Sequence, residues 1–422
     1  MKGMMTGKGV RRNKFDTLAV RKLKEVQIAH LKTKFELAEE SFLAEQAVAL
    51  VNDRLEQYEE KHGQKRIKPG EMLVEKNGEK IVLPILLNHL MHRLGNDMTL
   101  KEVKRHHEHE QYSVLQAVDP DATYGDLWRL LGTSNPGKRA PKGYDFLPEE
   151  PSKINEQEIT SRQPEDLAGV PKEVARECTE ILVEEYGCKK GLAEAMIRNI
   201  AGTRAWCCPE MLELKPGQGV WLTHSTQRSR KRGPRLLVPV ILTLLKYEEQ
   251  EKAIQHRGEF KAFKLRQIER ITSEAWRQGG VLTNTDTEWI LGISPNMVRE
   301  ILEGYQEKFG IILPTAGTIL DMGRTLTHKK IVVELHLQGM TTKQIAQRIY
   351  HSPEAVDLYL KTFDRLLVLR YYGMPLMAIQ KVLGHGKKLI KEHLELADKY
   401  FPTQEALAKH LKTRGIVLED LG

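Results

Sequence analysis

The chain has 422 residues, more than one hydrophobic core usually supports, and its length therefore predicts two or three domains. Lysine and arginine total 65 against 57 acidic residues, and the net charge of +8 favours a polyanionic partner. The sequence has neither an apolar run of the roughly 20 residues that a membrane-spanning helix needs nor the apolar centre of a signal peptide, so we expect a cytoplasmic protein with no membrane partner.

The first part of the chain predicts helices followed by a β-hairpin. Residues 1–20 are basic and contain glycine, which is typical of a flexible arm. Residues 20–60 lack proline and glycine and are rich in leucine, alanine, glutamate and lysine, which favours helices. A strand at 72–74, the Asn-Gly pair at 77–78 and the apolar run at 81–87 then predict two strands joined by a tight turn.

The same order of elements recurs further along the chain. Residues 170–204 have a helical pattern that is broken at Gly187. A strand-like segment at 220–223 and an apolar run at 236–242 follow it. Lys-Pro-Gly precedes the first strand in both places.

We infer an internal duplication of a helix-plus-hairpin unit, with convergence of two similar stretches as the alternative. The units span residues 21–131 and 153–246, and a linker rich in proline, glycine and lysine joins them at 132–152. The second strand of each unit contains a proline, Pro84 or Pro239. A proline confines its strand to a sheet edge or a bulge, which limits how these units extend their sheets.

The predicted hairpin of the second unit carries a strongly basic loop. Within eight residues it holds Arg228, Arg230, Lys231, Arg232 and Arg235. Such a loop could lie along a phosphate backbone or enter a minor groove. A solvated loop tip is the alternative.

After a predicted connecting helix at residues 247–278, residues 279–401 are predicted to form three helix-turn-helix units. The first spans residues 284–309, and its second helix begins with a Ser-Pro cap. Asn296 and Arg299 lie on the predicted outer face of that helix. Asparagine and arginine are the side chains best suited to bidentate contacts with adenine and guanine edges.

The second unit, at residues 340–360, has the clearest pattern, again with a Ser-Pro cap. Lys343 and Lys361 are its candidate DNA contacts. Its outer face also carries Glu354 and Asp357, which argues against base reading. We therefore expect this unit to space its two neighbours. Its predicted buried stripe comprises Ile345, Ala346, Ile349, Val356, Leu360 and Phe363.

The third unit spans residues 375–401, and residues 402–422 are predicted to be a C-terminal tail or helix. Lys387, Lys388 and Lys391 form a lysine cluster on its outer face, which is matched to phosphates more than to bases. The stripe predicted for its first helix comprises Leu376, Ile379, Val382 and Leu383.

Residues 315–323, followed by Thr-His-Lys at 327–329 and a helix at 331–337, resemble the signature of an uncharacterised prokaryotic domain-of-unknown-function family (1670) with tandem helix-turn-helix units. The resemblance extends over about residues 175–395. It implies a DNA-associated or regulatory role and supplies no catalytic residue. The second unit also resembles the helix-turn-helix of sigma factors and response regulators.

No catalytic motif stands out in the sequence. It has no Gly-rich phosphate loop, no G-x-S-x-G elbow and no H-E-x-x-H pair. The four cysteines lack C-x-x-C spacing and are expected to be buried free thiols. The His/Glu cluster at residues 106–110 fits a solvated helix face better than a metal site. We expect no metal and no cofactor.

The predicted fold is mainly α, with small β-hairpins in an α+β N-terminal part and a C-terminal all-α array of helix-turn-helix units. The expected function is sequence-specific binding of double-stranded DNA, as a transcriptional regulator or as the recognition component of a mobile element, with a homodimer as an option. A recombinase or transposase is the first alternative, since scattered carboxylates can form a metal site that spacing does not reveal. A helical protein-interaction scaffold is the second.

Overall fold

The computed structural model describes residues 22–37, 41–76, 78–85, 111–117, 120–124, 169–226, 236–246, 257–320, 328–350 and 352–418. This part of the chain is mainly helical, with a small antiparallel sheet in the N-terminal half, which confirms the predicted fold class. The chain divides into two compact units, unit 1 (Met1–Arg299) and unit 2 (Glu300–Gly422).

Four helices share one core in unit 1. Their apolar faces meet in a cluster that includes the fully buried Leu31, Val48 and Leu182. The first two helices come from the first predicted copy and the last two from the second, so both copies contribute to this core. The helices are α1 (Leu23–Lys34), α2 (Ser41–Lys61), α3 (Lys172–Glu184) and α4 (Lys190–Cys207).

The two predicted hairpins join in one sheet. Its strands are β1 (Glu71–Lys76), β2 (Glu79–Pro84), β3 (Gln218–Ser225), β4 (Leu237–Thr243) and β5 (Gly280–Val281). Their order is β2-β1-β3-β4, and the short β5 pairs with β3. The hairpins meet where Met72 lies opposite Gly219. A Cβ atom on Gly219 would lie 3.0 Å from the carbonyl oxygen of Glu71 and from Met72 Cβ in the first hairpin, so a side chain there would push the two hairpins apart.

Both prolines lie in the outer strands β2 and β4, so of the two expected positions, edge or bulge, the structure shows the edge. The carbonyl of Leu236 accepts an N–H from β3, and the N–H of Leu244 donates to the residue before β3. Peptide groups alternate sides along a strand, so the even-numbered residues of β4 face β3. Pro239 belongs to the odd-numbered set that faces away, and its missing N–H removes no bond from the ladder.

The helix α5 (Arg257–Arg277) covers the outer edge of β4 with side chains, in addition to linking two regions of the chain. Gln278, just after α5, accepts from the N–H and donates to the carbonyl of Ile241, both at 2.8 Å. Glu274 accepts from the N–H of Thr243 at 2.6 Å, and Arg270 donates to the carbonyl of Thr243 at 2.8 Å. These bonds occupy edge groups that would otherwise be open to pairing with a foreign strand.

A buried ion network joins the helical core of unit 1 to the sheet. Arg204 of α4 is 3% exposed, and its Nη2 donates to Glu59 Oε2 of α2 at 2.6 Å. The Nε of Arg66, which precedes β1, donates to the other oxygen of Glu59 at 2.8 Å. Burial alone would lower the pKa of Arg204, but the hydrogen bond and charge of Glu59 raise it above its usual value. The carboxylate is thus shared between two guanidinium groups that fix three segments together.

In unit 2 the central helix is α11 (Pro353–Tyr371). It packs against five other helices. These are α9 (His328–Leu337), α10 (Thr342–Ile349), α12 (Leu376–Leu383), α13 (Lys387–Tyr400) and α14 (Gln404–Thr413). In α11, Phe363, Leu366 and Leu367 are almost fully buried in the core. The helix α6 (Asn284–Leu291) lies in unit 1, and the boundary between the units falls within α7 (Pro295–Phe309). The other helix named for unit 2 is the short α8 (Ala316–Ile319).

All four cysteines are buried and free, as predicted. Burial raises the pKa of Cys178 to about 11 and that of Cys208 to about 12. Both groups therefore remain protonated thiols at neutral pH and serve as small apolar core residues.

Candidate nucleic-acid interface

Three pairs of consecutive helices, α6–α7, α10–α11 and α12–α13, are built to the same dimensions. In each pair the first helix has eight residues and ends at a residue in the left-handed region, namely Gly292, Tyr350 or Gly384. The second helix begins three residues after it. The helices and turns predicted from the sequence agree with these bounds.

Side-chain caps fix where the helices of the first two pairs begin. Thr283 and Thr341 each form a capping box with the residue three positions later. Ser294 and Ser352 each accept the N–H of the residue three positions later, at 3.2 and 3.3 Å, and a proline follows each serine. These caps satisfy N–H groups that have no partner within the helix.

The third pair departs from this plan at the start of α13. The residue before α13 is Gly386, which offers no side-chain cap, and the first turn carries no acidic residue. Lys387 and Lys388 occupy that turn instead, close to the positive end of the helix dipole. Lys387 and Lys391 are exposed, one turn apart on the same helix. The N-terminus of a helix favours anions, and lysines beside it add the positive charge that suits an anion such as phosphate.

The first pair is anchored to the sheet of unit 1. The Nε1 of Trp289 in α6 donates to the carbonyl of Ile85 at 2.9 Å. The Nε1 of Trp221 in β3 donates to Asp286 Oδ1 in α6 at 3.2 Å. A rigid α6 holds the turn that leads into α7, where Asn296 and Arg299 are both exposed, one turn apart.

The middle pair presents an acidic face. Its six predicted stripe residues are all buried, and Glu354, Asp357, Leu358 and Lys361 are exposed as predicted. The hydroxyl of Thr342 at the start of α10 donates to Asp357 Oδ1 at 3.1 Å. Hydrogen bonds at the helix start, from the backbone of Glu354 and from Ser352, hold the pKa of the Glu354 carboxyl below its usual value. The Glu354 carboxyl is therefore ionised at neutral pH, and its negative charge disfavours contact with phosphates.

One predicted stripe residue of the third pair is wrong. Val382 is 62% exposed, whereas Ile379 is buried and Leu376 and Leu383 pack against the core. Residues 376, 379 and 383 already form one face of α12, and Val382 lies about 100° around the helix from residue 383. The spacing from Ile379 to Val382 also fits a helical stripe, so the sequence pattern alone did not separate the two faces.

The profile of a family described as "Protein of unknown function (DUF1670)" matches residues 182–396. The chain belongs to this family. Neither the curated proteins nor the solved structures gave a match. The matched DUF1670 segment begins near the end of α3 and ends within α13, and it contains every residue predicted above to contact DNA.

Within the DUF1670 segment, the predicted contact residues divide between the two units and a part outside the described residues. Asn296 and Arg299 belong to unit 1. The exposed Lys343, Lys361, Lys387 and Lys391 belong to unit 2. The side chain of Lys388 and the basic loop with Arg228, Arg230, Lys231, Arg232 and Arg235 lie outside the described residues.

Two exposed basic residues of the same DUF1670 segment were missed by the sequence reasoning. Lys381 on α12 and Arg365 on α11 are both solvent-exposed in unit 2. A signal for Lys381 was available, because residues 372–391 contain four lysines and no acid. Arg365 follows Lys361 by one helical turn, a spacing that places both on one side of α11.

The described residues contain no group of three or more histidine, cysteine, aspartate or glutamate side chains placed to hold a metal ion. No helix among them combines the length and the apolar character needed to cross a membrane. The His/Glu cluster at residues 106–110 is outside the described part of the chain.

Proposed function

We propose that this DUF1670 protein is a sequence-specific, double-stranded-DNA-binding protein of the cytoplasm, either regulator-like or the recognition component of a mobile element. The support is a helix pair that occurs three times, each time with an eight-residue first helix, a left-handed residue after it and a second helix that begins three residues later. In DNA-binding helix-turn-helix proteins the second helix of such a pair lies in the major groove, with its first residues at the base edges. Here those first residues are exposed in all three pairs.

The three pairs differ in what they offer to DNA. The start of α7 offers Asn296 and Arg299, whose planar donor and acceptor groups suit adenine and guanine edges. The start of α13 offers Lys387 and Lys391, which suit phosphates. The acidic start of α11 suits neither, so the proposal gives the middle pair the role of a spacer.

The start of α13 is the single observation that carries the proposal. Gly386 in place of a capping side chain costs about a few tenths of a kcal/mol, and lysines at the positive end of the dipole also make the beginning of the helix less stable. A phosphate bound there would supply the acceptor and the negative charge that the sequence omits. Local rules are commonly broken at functional sites, where a ligand compensates for the loss.

The test is a binding titration of the full chain with a fluorescently labelled duplex, followed by anisotropy. The double substitution Lys387→Glu with Lys391→Glu should weaken binding by about tenfold or more, since two phosphate contacts become repulsive. Lys409→Glu with Lys412→Glu is the matched control, because it changes the net charge equally on exposed sites of α14. We expect the control to change affinity by less than about twofold, since screening limits distant charges.

The salt dependence provides the second part of the test. Affinity of the unsubstituted chain should fall steeply between about 50 and 200 mM salt, because phosphate contacts release counterions. Equal losses for the two double variants would contradict a phosphate site at α13. No binding of any duplex at the lower salt concentration would refute the proposed function.

A further inference from the structure

The short helix α12 carries apolar side chains on two different faces. Leu376, Ile379 and Leu383 form the face that packs into the core of unit 2. On the opposite side Met377 is 71% exposed and Val382 is 62% exposed.

The exposed apolar side chains of α12 lie on one broad face of the helix. Met377, Ala378, Lys381 and Val382 have the spacing that marks one face, with Met377 and Val382 at its two edges, about 140° apart around the axis. Met374, which lies before the helix, is 41% exposed. We call these five residues the outer face of α12. Single exposed apolar residues are ordinary, but several on one face are typical of an interaction surface. Methionine suits such a surface, because its flexible thioether adapts to different partners.

The segment that contains this face has charges of one sign. Residues 372–391 contain Lys381, Lys387, Lys388 and Lys391 and no acidic residue. An apolar face that carries the exposed Lys381 is complementary to an apolar helix face flanked by carboxylates. Two copies of this chain that met through this face would instead bring their lysines together. One face of a single eight-residue helix also buries less surface than the roughly 800 Å² per partner of a standard stable dimer interface.

We propose that the outer face of α12 is a docking site for an acidic amphipathic helix of a protein partner. The apolar side of that helix packs on Met377 and Val382, and its flanking carboxylates pair with Lys381. This is the helix-on-groove mode of recognition, in which apolar anchors at helical spacing supply affinity and flanking charges supply orientation. Apolar side chains gain little beside phosphates, so the face is distinct from the DNA contacts proposed above.

The experiment uses the full chain and two designed helical peptides with the same leucine positions. One peptide has glutamate at every flanking position, and its twin has lysine there. We expect the acidic peptide to bind in an anisotropy titration and the lysine twin to bind at least about tenfold more weakly. Met377→Asp and Val382→Asp should each weaken binding of the acidic peptide by about tenfold, because each places a carboxylate in the contact.

Leu358→Asp is the matched control, since Leu358 is 61% exposed on α11 and lies off the outer face of α12. It should leave peptide binding unchanged, and circular dichroism should show that all three variants fold. The two α12 variants should still bind the labelled duplex, which separates a failure of this inference from a failure of DNA binding.

Three results would overturn the inference. The first is that neither peptide binds, or that both bind equally. The second is binding to vesicles of anionic phospholipid without binding to the acidic peptide, which would assign the face to a membrane surface. The third is a concentration-dependent dimer in sedimentation that Met377→Asp dissociates, which would assign the face to a second copy of the chain.

Discussion

The α10–α11 and α12–α13 pairs share one backbone plan and carry opposite surfaces. Both have an eight-residue first helix that ends at a left-handed residue, and both pack into the core of unit 2. The helix α11 begins with Ser352, a proline and Glu354, which together complete a stable helix start. The helix α13 begins with Gly386 and two lysines, which leaves its start incomplete.

This difference separates two requirements that a single sequence pattern mixes. Helix lengths and turns are set by the buried side and by the left-handed residue, so they agree in both pairs. The exposed first turn is free to vary: α11 begins with a capping serine and an acidic residue, whereas α13 begins with a glycine and two lysines. The pattern of a helix pair therefore predicts its backbone and does not by itself assign contact with DNA.

The largest expected effects concern the buried position that the two pairs share. Ile345 and Ile379 are each the fourth residue of their first helix, and both are almost fully buried. Ile345→Ala and Ile379→Ala should each destabilise unit 2 by about 2–5 kcal/mol, since each leaves a cavity. Urea unfolding followed by far-UV circular dichroism measures this. Val382→Ala on the exposed side should change stability by less than about 0.5 kcal/mol. A large loss for Val382→Ala would mean that the two faces of α12 are not distinct.

Next in size is the loss of sequence preference expected from a reading helix but not from a spacer. Arg299→Ala on α7 should reduce discrimination at one base pair by about 1–3 kcal/mol, because a bidentate contact to guanine is lost. Lys361→Ala on α11 is the comparison and should leave the ranking of sites unchanged. Selection from a random duplex library, repeated with each variant, measures both. An unchanged site logo for Arg299→Ala would remove α7 from the reading role.

The cap of α11 has a smaller effect. Ser352→Ala should destabilise unit 2 by about 1 kcal/mol, since the N–H of Ala355 loses its acceptor. Thermal and urea unfolding give the difference. Ser352→Asp should restore stability, because aspartate is an equally good cap. If Ser352→Ala is neutral, α11 does not depend on its own cap and the contrast with α13 weakens.

A complementary change completes the start of α13. Gly386 has extended backbone angles and open space around its Cβ position, so a side chain fits there. Gly386→Asp should stabilise the helix by about 0.5 kcal/mol through a cap and a favourable charge. The same carboxylate should weaken duplex binding severalfold, because it occupies the place proposed for phosphate. Unfolding and anisotropy on one protein sample test both signs. Gains in stability and in affinity together would contradict the phosphate site.

The smallest expected effect is a pH dependence of the α11 start. The folded-state pKa of Glu354 lies below its ordinary value of 4.5, so the carboxylate stabilises the folded chain above that pH. The stabilisation is lost as the pH falls through the folded-state value. The unsubstituted chain should therefore be slightly more stable than Glu354→Gln at pH 7 and equal to it well below pH 4.5. A difference that persists in acid would show that the charge is not the cause.

The interface was predictable in part, for a reason visible in particular residues. Capping by Thr341 and Ser352 and burial of Ile345 can be predicted from local spacing in the sequence. Caps and helical stripes are formed by residues within one or two turns of each other. Val382 was misplaced because its spacing satisfies two faces of one helix. The acidic start of α11 could be read from the sequence, and the hydrogen bond from Thr342 to Asp357 could not.

The sequence by itself determined the elements of this protein: the strands of two hairpins, three helix pairs with the caps of the first two, and buried thiols. Each depends on neighbours in the chain, where the geometry of a turn or a helix fixes which residues meet. Only the tertiary structure decided that both hairpins form one sheet through Gly219, that Glu59 is shared by Arg66 and Arg204, and that α5 covers the edge of β4. These contacts join residues far apart in the chain, and their partners are selected by the packing of whole elements rather than by any local pattern.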